Sequence, residues 1–534
     1  MNMEPTPEQQ AAIDCEGNVV VTARPGSGKT FTLARMIAKE SSRLLSYQGV
    51  IAISYTNKAS DELRDRCERL GVERKLSFFG TIDSFCMGQI VAPFLSHVTT
   101  HKATALGLID DDLCQEWKHL KGRKMDDGDL RRFILRSFQE GSLPISALGP
   151  AALLVLEMAP QAMTFVKARY TAIFIDEYQD CGYYQHLLMK KLIACGLRGI
   201  AVGDIDQAIF RFAGKSPDHL QEFLASDRFQ HFQITKNHRC DKAIQAYSLA
   251  LLGARPELIP PADRRVFAIH MNGDEEALAA GIRDRLPAIM EKYGVSERRK
   301  VALIGFGNKT LDRFAGCISL PHKRFSDTLL DKGFSRWSRV LSSLLAEYYN
   351  PLHYSGRFLD EHLGLLARPA KRKRGLAYLD EYFSLPEEAL VDYVDLAASI
   401  AKLCEPESKN DDALEAYKSV VEDAELLRNG YKPASPDEVN ILTYHKAKGL
   451  EYDVVFCLEA YRYIMPPYKF ERQQFDAYGQ ALCMHYVGIT RARKVCYILL
   501  GSKRHNADGE LKDAFSSEFL DYPGLADMRI TTSW

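Results

Sequence analysis

The 534-residue sequence lacks any pair of cysteines in C-x-x-C spacing, any apolar run long enough to cross a bilayer, and any surplus of one charge. Each absence removes a class of protein. Twelve cysteines without that spacing argue against zinc or iron–sulfur ligation and against a disulfide framework. They are expected as buried thiols in a reducing cytoplasm. No signal peptide opens the chain, which fits the same compartment. With a net charge of −1 the chain is no polycation, so a nucleic-acid site has to be a local patch. Internal repeats and low-complexity tails are missing too, which sets aside solenoids and disordered arms.

What is present is a globular composition, 46% apolar and 26% charged, long enough for several domains. Its centre is the stretch 23–30: Ala23, Arg24, Pro25, Gly26, Ser27, Gly28, Lys29 and Thr30. A β-branched run, Val19-Val20-Val21-Thr22, precedes it, and a helically spaced apolar run over 31–38 comes after it. Strand, small-residue loop and helix start are the context of a phosphate-cradling loop. Gly26 and Gly28 free the backbone to turn N–H groups inward as an anion nest, and the helix N-terminus adds its positive end. Lys29 is placed to reach the β- and γ-phosphates of ATP, and the Thr30 hydroxyl to hold Mg²⁺. The bland alternative is a glycine turn that binds nothing. It leaves the Lys29-Thr30 register without a reason.

Upstream, Thr6 and its flanking prolines suit a helix start, and the Gln9 amide carries the donor and acceptor that an adenine edge requires. An ordinary surface glutamine is the competing explanation. Residues 49–56 and 77–80 read as strands with polar residues at their C-terminal ends, where open α/β sheets bind ligands. An apolar strand over 171–175 runs into Asp176-Glu177, the natural partner of a phosphate loop. Asp176 suits the metal's water shell and Glu177 the proton of an attacking water. A structural carboxylate pair is the poorer explanation beside Lys29. Further strands are expected over 198–204, 231–235, 301–305, 439–444, 454–458 and 495–500. Strands alternating with helices imply an α/β fold with largely parallel sheets. Two cores are expected, 1–85 with 168–240 and 241–325 with 436–534. Helical insertions over 86–167 and 326–435 interrupt them, the second carrying the basic run Lys371-Arg372-Lys373-Arg374, expected as a solvated face.

The motifs, in order, resemble the UvrD/Rep group of superfamily-1 DNA helicases from about Pro7 to about Ser502. They are Gln9; 23–30; Tyr55-Thr56-Asn57-Lys58-Ala59; Gly80-Thr81; Asp176-Glu177-Tyr178-Gln179-Asp180; Gly203-Asp204 with Gln207; Asn237-His238-Arg239; Thr443 with His445-Lys446-Ala447-Lys448-Gly449-Leu450-Glu451; and Tyr486-Val487-Gly488-Ile489-Thr490-Arg491-Ala492. The resemblance implies two RecA-like P-loop domains, ATP and Mg²⁺ between them, and single-stranded or 3′-tailed DNA crossing both. Position by position, it implies that Gln9 reads adenine and that Lys29, Thr30, Asp176 and Glu177 serve hydrolysis. Gln207 couples the γ-phosphate to DNA, Arg239 and Arg491 stabilise the transferring phosphoryl group, and Glu451 meets the ribose. Tyr55, Phe210 and Phe212 match base-stacking positions, and Thr56, Lys58, Thr81 and His445 match backbone contacts. The sequence departs from the group at several positions, among them Gln480-Ala481-Leu482-Cys483-Met484, where the group is rich in glutamate and arginine. Phe31 and His238 stand where arginine and tyrosine often enclose adenine, and Ala213 and Asp83 replace a frequent arginine and histidine.

A narrower likeness is to the helicase-like subunits of bacterial Gabija antiphage systems, carried by Asp176-Glu177-Tyr178-Gln179-Asp180, the Gly80-Thr81-x-Asp83 turn, Asn237-x-Arg239-Cys240 and His485-Tyr486-Val487. It implies an OLD-family, GajA-like nuclease as partner in a hetero-oligomer, since no spare acidic cluster here suits two-metal cleavage. The expected function is an ATP-driven 3′-to-5′ translocase or helicase. The alternative is a nucleotide- and DNA-end-sensing ATPase that activates a nuclease without processive unwinding. A metabolic or signalling P-loop enzyme, the third possibility, predicts ATP turnover indifferent to DNA.

Overall fold

The computed structural model describes residues 4–55, 57–99, 106–209, 215–333, 335–350, 353–363, 368–406, 410–467 and 474–534, with backbone alone at 57, 58, 332, 357, 360, 361 and 474–476. The chain divides into two units, one of residues 1–85, 163–324 and 434–534, the other of 86–162 and 325–433. The first unit holds two sheets. β1 (Asn18–Ala23), β2 (Gly49–Ile53), β3 (Phe78–Gly80), β4 (Tyr170–Ile175), β5 (Arg198–Gly203) and β6 (Phe229–Ile234) pair in the order β3–β2–β4–β5–β1–β6. Every neighbouring pair is parallel, with Val20 opposite both Ala201 and His231. Helices cover both faces of such a sheet, so its inner strands are apolar without alternation. Val19, Val20, Val21, Val50, Ile51, Ala52, Ile173 and Phe174 are accordingly sealed from solvent. Parallel strands also deliver all their C-terminal ends to one edge. That edge carries the 24–28 loop after β1, Tyr55 after β2, Thr81 after β3, Asp176 and Glu177 after β4, and Asp204 after β5.

The second sheet is built from β7 (Val266–Met271), β8 (Val301–Gly305), β9 (His322–Arg324), β10 (Val439–Thr443), β11 (Tyr452–Cys457), β12 (Ala492–Gly501) and β13 (Ile530–Ser533). Its order is β9–β10–β8–β11–β12–β7–β13, again parallel throughout. Leu303, Phe456, Val495 and Leu499 anchor its core. The set therefore begins at β7, ahead of the expected start at 301, and the chain's tail supplies an edge strand, β13. β13 escaped prediction because an edge strand buries one side or less, so it is Ile-Thr-Thr-Ser with three exposed positions. β7, paired with β12 on one side and β13 on the other, carries the exposed His270 within its apolar run. Here the motif residues enter at strand starts, with Lys448 to Glu451 before β11 and Arg491 before β12.

The second unit is mostly helical. Residues 86–162 include helices Gly128–Glu140 and Leu148–Met158, the former capped by Asp127 on the N–H groups of Asp129 and Leu130. Gly107–Ile109 and Ser142–Pro144 pair there as a short parallel ladder, where no strand was expected. Residues 325–433 close around Trp337, Leu341, Leu379, Tyr382, Ile400 and Tyr417, contributed by helices Arg336–Tyr348, Pro369–Phe383, Val394–Cys404 and Asp411–Glu422. No single helix among the described residues is long and apolar enough to cross a membrane. All twelve cysteines are free thiols; seven are buried and Cys114, Cys195, Cys240, Cys317 and Cys483 are half-exposed, which corrects the expectation that all lie inside.

Candidate nucleotide-binding cleft

The first helix, Pro7–Asp14, opens with a reciprocal cap: the Gln9 N–H donates to Thr6 Oγ1, and the Thr6 N–H donates to Gln9 Oε1 at 2.9 Å. The other end of the Gln9 amide donates to the Ser27 carbonyl at 2.9 Å. Gln9 is thus buried behind the 24–28 loop with both ends of its amide engaged. The loop itself leaves Ala23 at the end of β1, with Pro25 and Ser27 buried and the Ser27 hydroxyl donating to the Arg24 carbonyl. Gly26 and Gly28 adopt φ of 74° and 84°, which a side chain rarely tolerates. A Cβ on Gly26 would stand 2.4 Å from Arg239 Cβ, and one on Gly28 2.7 Å from Gln9 Nε2. The loop is clamped from the 235–240 segment, where Asn237 Nδ2 donates to the Pro25 carbonyl at 2.9 Å and the His238 N–H to the Gly26 carbonyl at 2.7 Å. Asn237 Oδ1 also receives the N–H groups of Arg239 and Cys240.

Beneath the loop lies the turn after β4. Lys29 Nζ is 3.3 Å from Glu177 Oε1, and Lys448 Nζ is 3.5 Å from Glu177 Oε2. Burial disfavours the Glu177 charge, but Lys29 and Lys448 outweigh it and hold the carboxyl far below its usual range. Asp176 has the opposite balance. Burial and the neighbouring Glu177 push it up to about 7, with Lys29 and the Glu177 N–H pulling the other way. Lys448 also bonds Asp180 and the Gln207 carbonyl, the latter at 3.0 Å. Burial raises Asp180 to about 6 despite that partner, while Asp180 and Glu177 keep the Lys448 ammonium charged against its own burial.

Arg491 crosses to the same place. Its Nε donates to the Val487 carbonyl at 3.0 Å, Nη1 to the Leu450 carbonyl at 3.2 Å, and Nη2 to Gln207 Oε1 at 3.3 Å. Gln207 Nε2 in turn donates to Asp204 Oδ2 at 2.6 Å. Burial and the nearby Arg239 lower Arg491 only to about 10, so it stays cationic at neutral pH. Arg239 meets Glu451 at 2.6 Å, and Arg493 reaches the other Glu451 oxygen at 3.0 Å.

These groups line a cleft of about 350 Å³ together with Thr30, Phe31 and His238. Arg35 rests on the Phe31 ring, its guanidinium 4.8 Å from the centroid. The residues fit a nucleoside triphosphate with a divalent cation. A nest of positive-φ glycines opens onto a cleft lined by six cations, Lys29, Arg66, Arg239, Lys448, Arg491 and Arg493. Asp176, buried and short of compensating charge, beside the half-buried Thr30, suits a hard oxygen-seeking cation.

Of the residues expected to meet DNA, Tyr55 and His445 line this cleft, and Tyr55 with Thr81 also lines a second cavity of about 230 Å³. Asp83, Gln185 and Lys215 complete that cavity's polar rim, with Lys215 Nζ 5.9 Å from the Tyr55 ring centroid. Tyr55 is 38% exposed, enough to offer a stacking face. Thr81 also starts helix Ile82–Phe85, its Oγ1 receiving the Ser84 N–H. Burial lowers the His445 pKa, so the ring is neutral at pH 7. Thr56, Phe210, Phe212 and Ala213 lie outside the described residues, as does the Lys58 side chain. Sequence reasoning assigned no task to Asn237, Lys448, Asp180 or Arg493. Lys448 and Asp180 sat inside motifs already quoted, and only their pairing across 268 positions of chain gives them a purpose.

Comparison with known proteins places these elements. Residues 9–213 match an AAA domain and residues 357–503 the UvrD-like helicase C-terminal domain. The Gabija protein GajB of Bacillus cereus (strain VD045) is 29% identical over 43% of this chain and 46% of its own. The ATP-dependent DNA helicase UvrD1 of Mycobacterium leprae (strain TN) is 24% identical over 41% of this chain and 35% of its own. The ATP-dependent DNA helicase PcrA of Bacillus subtilis (strain 168) is 21% identical over 92% of this chain and 82% of its own. In the first two of these, the matched region spans less than half of the relative's length.

Proposed function

The chain belongs to the UvrD-like helicases, and from that premise we propose that it is an ATP-driven motor moving 3′ to 5′ on single-stranded or 3′-tailed DNA. One observation carries this reading: Arg491 and Lys448, from the second sheet's loops, reach Gln207, Glu177 and Asp180 on the first. A site assembled from two sheets works only when they close, which ties hydrolysis to motion. Lys29 neutralises the terminal phosphates, and in doing so leaves Glu177 free to orient and deprotonate an attacking water. Arg239 and Arg491 stabilise charge on the transferring group. Gln207, bonded to Arg491 and Asp204, reports that charge toward the DNA side. Thr30 and Asp176 would hold Mg²⁺, which when bound supplies charge neutralisation between the phosphates. Phe31 and His238 flank the base, and Glu451 exchanges its arginines for the ribose.

The GajB likeness supports a finer proposal, a defence complex in which an OLD-family nuclease cuts and this chain drives or licenses it. A second reading, a DNA-end sensor that hydrolyses ATP without unwinding, draws support from Asp83, a carboxylate on the rim of the Tyr55 cavity where a DNA phosphate would be repelled. Steady-state ATPase with and without single-stranded DNA tests the motor, and Arg491→Ala should lower kcat by about 10³ while sparing ATP binding. Strand displacement on 3′-tailed duplex separates the two readings, since only the motor releases the strand. DNA-independent turnover in the unmutated chain would overturn both.

A further inference from the structure

We propose that His186 is a positioning residue for Glu177, acting through the Tyr178 hydroxyl; this role rests on the ATP-hydrolysing function proposed above. Glu177 stands at φ 52°, in the left-handed region, at the head of the Tyr178–Asp180 turn. A side-chain-bearing residue holds that conformation only when its surroundings fix it. Three anchors do so. The Gln179 amide ties Glu177 Oε2 (2.5 Å) to the Asp204 N–H (2.9 Å), and Asp180 is paired with Lys448. Tyr178, wholly buried, meets His186 Nδ1 at 2.8 Å.

His186 lies on helix Tyr183–Ala194 and is 2% exposed. Its Nε2 is 2.8 Å from Glu222 on helix Asp218–Leu224, and Lys190 closes on the other Glu222 oxygen at 2.5 Å. His219 stacks on the imidazole at 4.6 Å, and Phe223 packs beside it. Tyr178, Glu222, His219 and Lys190 are thus the titratable groups facing the ring. Burial, ahead of the opposing pull of Glu222, lowers the His186 pKa, so the ring is neutral at pH 7. An ionised Glu222 only accepts, so the ring proton sits on Nε2. Nδ1 is then an acceptor, and the Tyr178 O–H must donate to it. The chain Tyr178 to His186 to Glu222 therefore has one direction and holds the turn through residues that do not line the cleft. The helix bearing Glu222 is itself fastened to this region, through a bridge between Gly182 and Lys215 and through the Ser216 N–H on the Cys181 carbonyl at 3.2 Å.

The experiment is steady-state ATPase of the full chain with single-stranded DNA, comparing four variants. Tyr178→Phe, which removes one oxygen, should lower kcat about tenfold and leave the KM for ATP unchanged. His186→Leu should do the same, and the double variant should be no worse than either. His186→Gln should recover most of the activity, since an amide offers one donor and one acceptor as the neutral imidazole does. Should His186→Leu fail to fold, Tyr178→Phe and His186→Gln still decide the matter. Full kcat in Tyr178→Phe, or His186→Gln losing kcat and ATP affinity together, overturns the proposal. An unmutated chain without ATP turnover would instead sink the functional reading beneath it.

Discussion

At the scale of single residues, the cleft is a set of charges that are tolerable only in company. Lys448 shows it best. Its side chain is 10% exposed and that of Asp180 1%, so neither charge has water to fall back on. Removing one partner from such a pair commonly costs about 3–5 kcal/mol, because the survivor stays buried. Lys448→Ala should therefore lower the thermal midpoint by several degrees, and adding Asp180→Asn should recover much of it. The check is calorimetry of the two single variants and the double. His485 is the converse case. It is fully buried, no partner contacts either ring nitrogen, and burial followed by Arg529 pushes its pKa down to about 4. The unfolded chain takes up that proton near pH 6.5, the folded chain only near 4, so stability falls as pH drops between those values. His485→Phe should flatten this acid limb, by up to about 3 kcal/mol at pH 4, in denaturation curves recorded from pH 7 downward.

At the scale of elements, the nucleotide loop depends on what its glycines lack. Gly26→Ala places a Cβ against Arg239 and Asn237 in a backbone conformation that also resists it. The KM for ATP should rise at least tenfold, because the loop must shift to relieve contacts of 2.4 and 2.6 Å, and the left-handed strain of about 1–2 kcal/mol should lower the melting temperature slightly. Gly17→Ala, which meets nothing within 4 Å, is the matched control and should be silent in both measurements. Elements like this loop were legible beforehand because local chemistry fixes them: β1 is apolar on both faces, and the Gly-Ser-Gly-Lys-Thr run beyond its end has the spacing that a phosphate requires. The inner strands β8 and β10 were legible for the same reason, being buried at every position. β7, β9 and β13 were not, since short strands at or near a sheet edge take their identity from neighbours remote in sequence. Gln9 marks a subtler limit. Its spacing from the loop pointed to adenine, while its amide in the structure caps a helix and braces Ser27, a pairing that spacing alone does not reveal.

At the scale of the whole molecule, net charge hides local fields. Lys371, Arg372, Lys373 and Arg374 open helix Pro369–Phe383, with Lys373 and Arg374 exposed and the other two half-buried. If that helix meets duplex DNA, changing all four to alanine should weaken binding and flatten the plot of log affinity against log salt by about 0.9 for each phosphate no longer neutralised. An unchanged slope would leave the run as a solvated face. The same unit has a consequence for how the fold tolerates change. Its segment 325–433 is an excursion that leaves after β9 and returns into β10, and those strands are immediate neighbours, with His322 opposite Val439 and Arg324 opposite Ile441. The chain therefore closes a loop of more than a hundred residues to form one ladder. The entropy of that closure grows only with the logarithm of loop length, about 0.6 kcal/mol for each doubling. The second sheet is thus almost blind to how much chain it encloses. A longer or shorter excursion there changes the closure cost of the β9–β10 ladder by less than one badly packed methyl group at Leu303 or Val454 would cost the sheet.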